Sequence, residues 1–254
     1  MFIPVIGSDS TSGPTARSAC DSPPHESARL PSAFALDHEG SLMTALILDL
    51  DRTLVDLQSY TDYDAAWAEV AELIDPEWAG SGPDTGWSSS TRACMGVIAN
   101  VDDPELWRRL SSVIESHERA AIGRSRAMPH VVEFLAATAD RPRAVVTLLP
   151  ATVAAEALAA HGLDFEVVVG RDPHIRPKPS GAGLLEALRR LGLSGSPATM
   201  VGDSTWDATA AADAGVDFVG VHVPPSEFAA IDPPVPACET LLEVLAVLDH
   251  QGNE

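Results

Sequence analysis

Apolar residues in this chain gather into short unbroken runs, separated by longer stretches with a helical period. The runs fall at 45–50, 144–149, 165–170, 198–202 and 218–223. They lack polar alternation, which predicts strands covered on both faces. Amphipathic or apolar helical stretches are predicted over 60–74, 88–101, 104–122, 129–139, 151–161, 180–192 and 205–214. A Pro-rich loop precedes a last predicted helix at 237–249. Strands alternating with helices predict an α/β fold: a Rossmann-like, mainly parallel sheet with helices on both faces. The segment 57–128 is almost wholly helical and predicts an inserted α-helical cap, leaving 43–56 and 129–254 as the core. Trp67, Trp78, Trp87 and Trp107 fall in this insert. They suit either a small core of its own or the lining of an apolar substrate pocket, and Arg92 is the insert's first candidate cation. Residues 1–42 are rich in Ser, Pro, Ala and Gly without a sustained period and are expected to be a disordered tail. Met43 stands just before the first strong strand signal, so a native chain starting there is a further expectation, testable by mass spectrometry.

Four segments interrupt this pattern with polar groups where apolar runs end, the edge of an open α/β sheet at which ligands bind. In LILDLDRTLVD (46–56), Asp49 and Asp51 end a buried run. Two carboxylates this close repel unless a proton or cation compensates. A divalent ion is one explanation, and a turn with capping acids is the other. In AVVTLLP (144–150), Thr147 brings a hydroxyl near a strand end, suited to a phosphoryl oxygen or simply bonded to backbone. In RPKP (176–179), Lys178 is held between prolines that restrict its backbone. In MVGDSTWDATAAADAG (200–215), Asp203 and Ser204 close a strand and Asp207 follows in the first helical turn. Capping of that helix is compatible with a role in binding.

Charge sharpens one of these candidates. The chain of 254 residues carries 16 basic and 37 acidic residues, a formal charge of −21. Such a field repels a nucleic-acid backbone or an anionic membrane, so neither is an expected partner. A phosphate-handling site must then create its own local positive charge. Lys178 is the only lysine among the 16 basic residues. A chain that otherwise uses Arg has kept one compact ammonium, which Arg cannot imitate. No apolar run is long enough to span a bilayer. Cys20, Cys94 and Cys238 are odd in number and widely spaced, with no zinc or disulfide framework. A reducing cytoplasm is the expected setting.

In order and spacing, the four segments resemble the haloacid-dehalogenase-like hydrolases, and most closely the phosphoglycolate-phosphatase-like branch with a helical cap. The likeness runs from 45 to about 223 and is carried most specifically by the K-P, V-G-D-S-x-x-D and A-x-A-G segments. It implies an Mg²⁺-dependent phosphatase acting on a small phosphorylated metabolite. In that reading Asp49 is the nucleophile that becomes phosphorylated, and Asp51 protonates the leaving oxygen and later activates water. Thr147 and Lys178 bind the phosphoryl group. Mg²⁺ would be held by Asp49, Asp203 and the backbone carbonyl of Asp51, with Asp207 in support. Arg52 stands where the family usually has Gly and is an added candidate for substrate binding. Leu148 stands where a small or polar residue is usual and would narrow the site. Two rival functions share the same residues: a phosphotransferase such as a sugar phosphomutase, and a non-catalytic module that binds a phosphorylated ligand.

Overall fold

A computed structural model describes residues 44–74 and 85–251, the side chain of Gln251 excepted. The expected tail at 1–42, the proposed start at Met43, Cys20 and Trp78 lie outside the described residues. The first strand, β1 (Ala45–Leu48), leads through the short β2 (Val55–Asp56) into α1 (Tyr63–Ala71), α2 (Ser89–Asn100) and α3 (Pro104–Ala121). The short β3 (Arg126–Ala127), α4 (Val131–Ala137), β4 (Arg143–Pro150), α5 (Ala151–Ala160) and β5 (Val167–Arg171) follow. The chain ends with α6 (Ala182–Arg190), β6 (Ala198–Gly202), α7 (Thr205–Ala214), β7 (Asp217–Val221), β8 (Ala237–Cys238) and α8 (Leu241–Gln251).

Six strands form one sheet in the order β5-β4-β1-β6-β7-β8, and each neighbouring pair is parallel. The period of two along β1 explains its two covered faces. Leu46 and Leu48 turn to one side, where Val145, Val201 and Val219 join Phe134, Val153, Leu158 and Val244 from α4, α5 and α8. Ala45 and Ile47 turn to the other, with Val146, Val169 and Met200 against Leu184, Leu188 and Ala211 from α6 and α7. This is the Rossmann-like architecture expected from the alternating runs.

The helices of the insert start where local chemistry starts them. Asp62, Ser88 and Asp103 each accept a backbone N–H of the first turn of α1, α2 and α3. These helices share an apolar cluster of Tyr63, Ala66, Val70, Cys94, Val97, Ile98, Trp107, Leu110 and Ile114, which Trp206 of α7 joins from the core. Trp107 is buried and donates its indole N–H to the Ile98 carbonyl at 3.0 Å. Trp67 packs at the margin of this cluster. Trp87 packs against Trp206 with ring centroids 5.3 Å apart. Among the described residues no helix is long and apolar enough to cross a membrane.

Two expectations need correction. The last helix begins at Leu241 rather than 237, because Ala237 and Cys238 extend the sheet beside β7. The two-residue strands β2 and β3 pair antiparallel, where no strand is expected from the sequence. Segments this short are below any readable period.

Candidate active site

Asp49 directly follows β1, and its N–H donates to the Val201 carbonyl of β6 at 2.9 Å. That bond continues the β1–β6 ladder by one residue and fixes Asp49 at the carboxyl edge of the central strands. Asp203 directly follows β6, and Lys178 lies in the loop between β5 and α6. All three side chains are buried. The Lys178 ammonium donates to Asp49 Oδ1 and to Asp207 Oδ1, each at 2.5 Å, and to the Val146 carbonyl at 3.2 Å. Carboxylate oxygens of Asp49, Asp203 and Asp207 all lie within 4.8 Å of one another. The structure thus brings together four of the residues singled out from sequence.

The same polar edge is built by ordinary helix capping. Ser204 is the N-cap of α7 and forms a capping box with Asp207. The Ser204 hydroxyl and N–H both donate to Asp207 Oδ2, at 2.7 and 3.1 Å. Capping is therefore realised through Oδ2, which leaves Oδ1 to meet Lys178. Gly202 is required by this closeness, since a Cβ there would meet the Asp207 carboxylate carbon at 2.5 Å.

Asp51 and Thr147 line the same cavity as Asp49, Lys178, Asp203 and Asp207. Asp51 is oriented by the N–H groups of Leu57 and Gln58, which donate to its Oδ1 at 2.9 and 2.8 Å. The Thr147 hydroxyl accepts the Leu149 N–H at 3.2 Å. Its own proton remains available to an acceptor in the cavity. Leu148 lines the cavity too, as expected of a bulky residue at that position. Arg52 does not line it but borders a neighbouring groove with Gln58, Thr61 and Asp64. Its Nε lies 3.5 Å from Asp203 Oδ2 and its backbone adopts φ 62°. A left-handed residue at this turn is the physical reason why Gly suits it.

Electrostatics mark the site as short of positive charge. Burial raises the pKa of Asp49 despite the pull of Lys178, because that one ammonium is shared with Asp207. Burial also raises Asp203 strongly, helped by the charges of Asp49 and Asp207 and opposed by Arg52. Asp51 is pushed up to about 7, mainly by burial. Burial alone would lower Lys178, but Asp207 and Asp49 outweigh it and hold it in the charged form. Hard, anionic oxygen donors in this crowding suit a divalent cation such as Mg²⁺. Asp49, Asp203 and Asp207 are the carboxylates that could hold one.

Sequence reasoning offered Trp87 as a pocket lining but missed the other cavity residues that the segment 57–128 contributes. Tyr63, Trp87, Thr91, Met95 and Glu118 from the inserted segment line the same cavity. Glu118 lies on the buried stripe of α3 with Trp107, Leu110, Ser111, Ile114 and Ala121. An acid at an apolar position of that periodic pattern is the signal that points to it. Arg171, which ends the apolar β5 and pairs with Glu118 at 2.8 Å, left a similar signal.

Known proteins agree with this picture. A family model for haloacid dehalogenase-like hydrolases matches residues 43–215. A phosphoglycolate phosphatase of Pectobacterium atrosepticum is 41% identical over 95 residues. That match covers 36% of this chain and 41% of the relative. The fold resembles a hydrolase from Pseudomonas syringae, with 24% identity and a TM-score of 0.61 over 82% of this chain and 98% of the other. It also resembles a haloacid dehalogenase-like family protein from Streptococcus pneumoniae, with 19% identity and a TM-score of 0.56 over 81% and 98% of the two chains. With its acids and lysine set on the carboxyl edge of a parallel sheet, and with two thirds of its length matched, this chain belongs to the haloacid dehalogenase-like hydrolase family.

Proposed function

We propose that the chain is an Mg²⁺-dependent phosphatase that hydrolyses a small phosphomonoester through a phosphorylated Asp49. The observation that carries this reading is the Lys178 ammonium held between Asp49 and Asp207 on the rim that also presents Asp203. The match to a phosphoglycolate phosphatase over part of its length supports phosphate chemistry.

In this reading an Asp49 carboxylate oxygen attacks phosphorus while the bond to the leaving oxygen breaks. Asp51 donates its proton to that leaving oxygen, then takes a proton from the water that attacks the phosphorylated Asp49. Free Asp49 and inorganic phosphate result. A carboxyl titrating near neutrality suits both halves of this task. Lys178 neutralises charge on Asp49 and on the bound phosphoryl group, and the Thr147 hydroxyl donates to a phosphoryl oxygen. Asp49, Asp203 and the backbone carbonyl of Asp51 would hold the cation, with Asp207 in support. When bound, it supplies the positive charge that lets an anionic nucleophile approach an anionic phosphate.

Residues 57–128 act as the cap in this proposal, over a core of 43–56 and 129–254. Support comes from Tyr63, Thr91, Met95 and Glu118, which face the same cavity as Asp49. A cap closed over the site excludes bulk water during the first step.

The test is hydrolysis of p-nitrophenyl phosphate and a panel of phosphorylated metabolites by the purified chain. Turnover is expected with Mg²⁺ and should vanish with chelator. Asp49→Asn should lower kcat by about 10³-fold or more while the fold is retained. A folded protein that binds Mg²⁺ yet turns over no phosphoester would leave only the transfer or binding alternatives.

A further inference from the structure

One wall of the cavity above Asp49 takes no part in the chemistry just proposed. Glu118 of α3 is fully buried there. Its Oε1 accepts from Arg171 Nη1 at 2.8 Å and from the Tyr63 hydroxyl at 3.3 Å. Its Oε2 is shielded from solvent and has no hydrogen-bond partner among the described residues. Leaving a buried acceptor unpaired costs about 1–3 kcal/mol, and such a group calls for a reason.

Arg171 does not serve a ligand in its place. Its Nε donates to Ser111 Oγ at 2.9 Å and its Nη2 to the Ser111 carbonyl at 3.0 Å. Its Nη1 donates to Glu118 and also to the Leu148 carbonyl at 3.1 Å. Burial raises the Glu118 pKa and the guanidinium opposes that rise, offsetting the charge while leaving one carboxylate oxygen to accept. The wall is close to neutral and offers an acceptor, which suits an uncharged donor. It does not suit a second anion. The cavity is lined by the acids Asp49, Asp51, Glu118, Asp203 and Asp207, and its lining cation, Lys178, is already shared by two of them.

We propose that Glu118 is a specificity-determining residue whose free Oε2 accepts a hydrogen bond from a hydroxyl on the leaving group. The substrate is then a small hydroxylated alkyl phosphate rather than one bearing a carboxylate. This rests on the phosphatase reading above. The cavity is small, about 30 Å³, and favours a compact leaving group.

The experiment compares kcat/KM, with Mg²⁺, for glycerol phosphate, propyl phosphate and phosphoglycolate, with p-nitrophenyl phosphate as a general reference. Glycerol phosphate is expected to exceed both of the others by about 10-fold or more. The paired substitution Glu118→Leu with Arg171→Met removes both buried charges together, which avoids leaving one of them unpaired. It should bring the glycerol-to-propyl ratio within about twofold of unity. Equal rates for the two alkyl phosphates in the unmodified protein, or a preference for phosphoglycolate, would overturn the hydroxyl pocket while leaving the phosphatase intact. A ratio that survives the paired substitution would overturn the assignment to Glu118. Failure to hydrolyse any phosphoester, the reference included, would overturn both readings.

Discussion

At the scale of single residues, Arg52 separates backbone preference from side-chain chemistry. Its φ of 62° lies in a region that costs a side-chain-bearing residue about 1 kcal/mol or more relative to Gly. Its guanidinium, a third exposed, adds only a loose contact to Asp203 at 3.5 Å. Because Asp203 is itself buried, losing this contact offsets part of the backbone gain. Arg52→Gly is therefore expected to be neutral or to stabilise the fold by up to about 1 kcal/mol, read from urea unfolding. It should also tighten Mg²⁺ binding, because a cation that competes for Asp203 has gone. Weaker Mg²⁺ binding in a calorimetric titration would instead give Arg52 a supporting part in the site. Asp49, Asp203 and Lys178 were legible as residues because each breaks a local rule. The two acids end runs of buried strand, and the lysine is the one ammonium in a chain of arginines. Glu118 breaks a rule as well, but the stripe it interrupts is recognised as buried only when α3 is in place.

Among the elements, α7 shows how a site is supported by the helix that carries it. Ser204 caps the helix and orients Asp207, whose other oxygen meets Lys178. Ser204→Ala removes the cap and is expected to cost about 1 kcal/mol in chemical denaturation. It should lower kcat as well, since Asp207 loses the hydroxyl donor at 2.7 Å and keeps only the N–H of residue 204 to fix its rotamer. Lost stability with unchanged kcat would show that Lys178 and the N–H of residue 204 suffice to hold Asp207 in position. The long helices and the five longer strands were readable from period and from their caps. Strands β2, β3 and β8, of two residues each, were not. Each exists because a distant partner supplies its hydrogen bonds, Arg126–Ala127 for β2 and Gly220–Val221 for β8.

For the molecule as a whole, the crowding of carboxyl groups at one edge is expected to make stability depend on pH and, in the proposed reading, on Mg²⁺. Burial pushes Asp51 up to about 7 and raises Asp49 and Asp203. When the folded-state pKa exceeds the unfolded one, the unfolded chain releases its protons first as pH rises. In the metal-free protein the stability these groups contribute should be fully present below about pH 4 and be lost as pH rises through about 7, with Asp203 extending the loss to higher pH. Mg²⁺ offsets the same charges, so the rise in Tm on adding it should grow across that window. A Tm increment that stays constant between these limits would contradict this account. What the sequence by itself determined was the class of fold, the order of the longer elements and the main acids and lysine of the rim. Those depend on period, on capping and on where apolar runs stop, all set within a few residues along the chain. Only the tertiary structure decided that Lys178 spans Asp49 and Asp207, and that Glu118 reaches the same cavity with one oxygen unpaired. These contacts join residues 129, 29 and 53 positions apart, and such pairings are decided by how the layers pack.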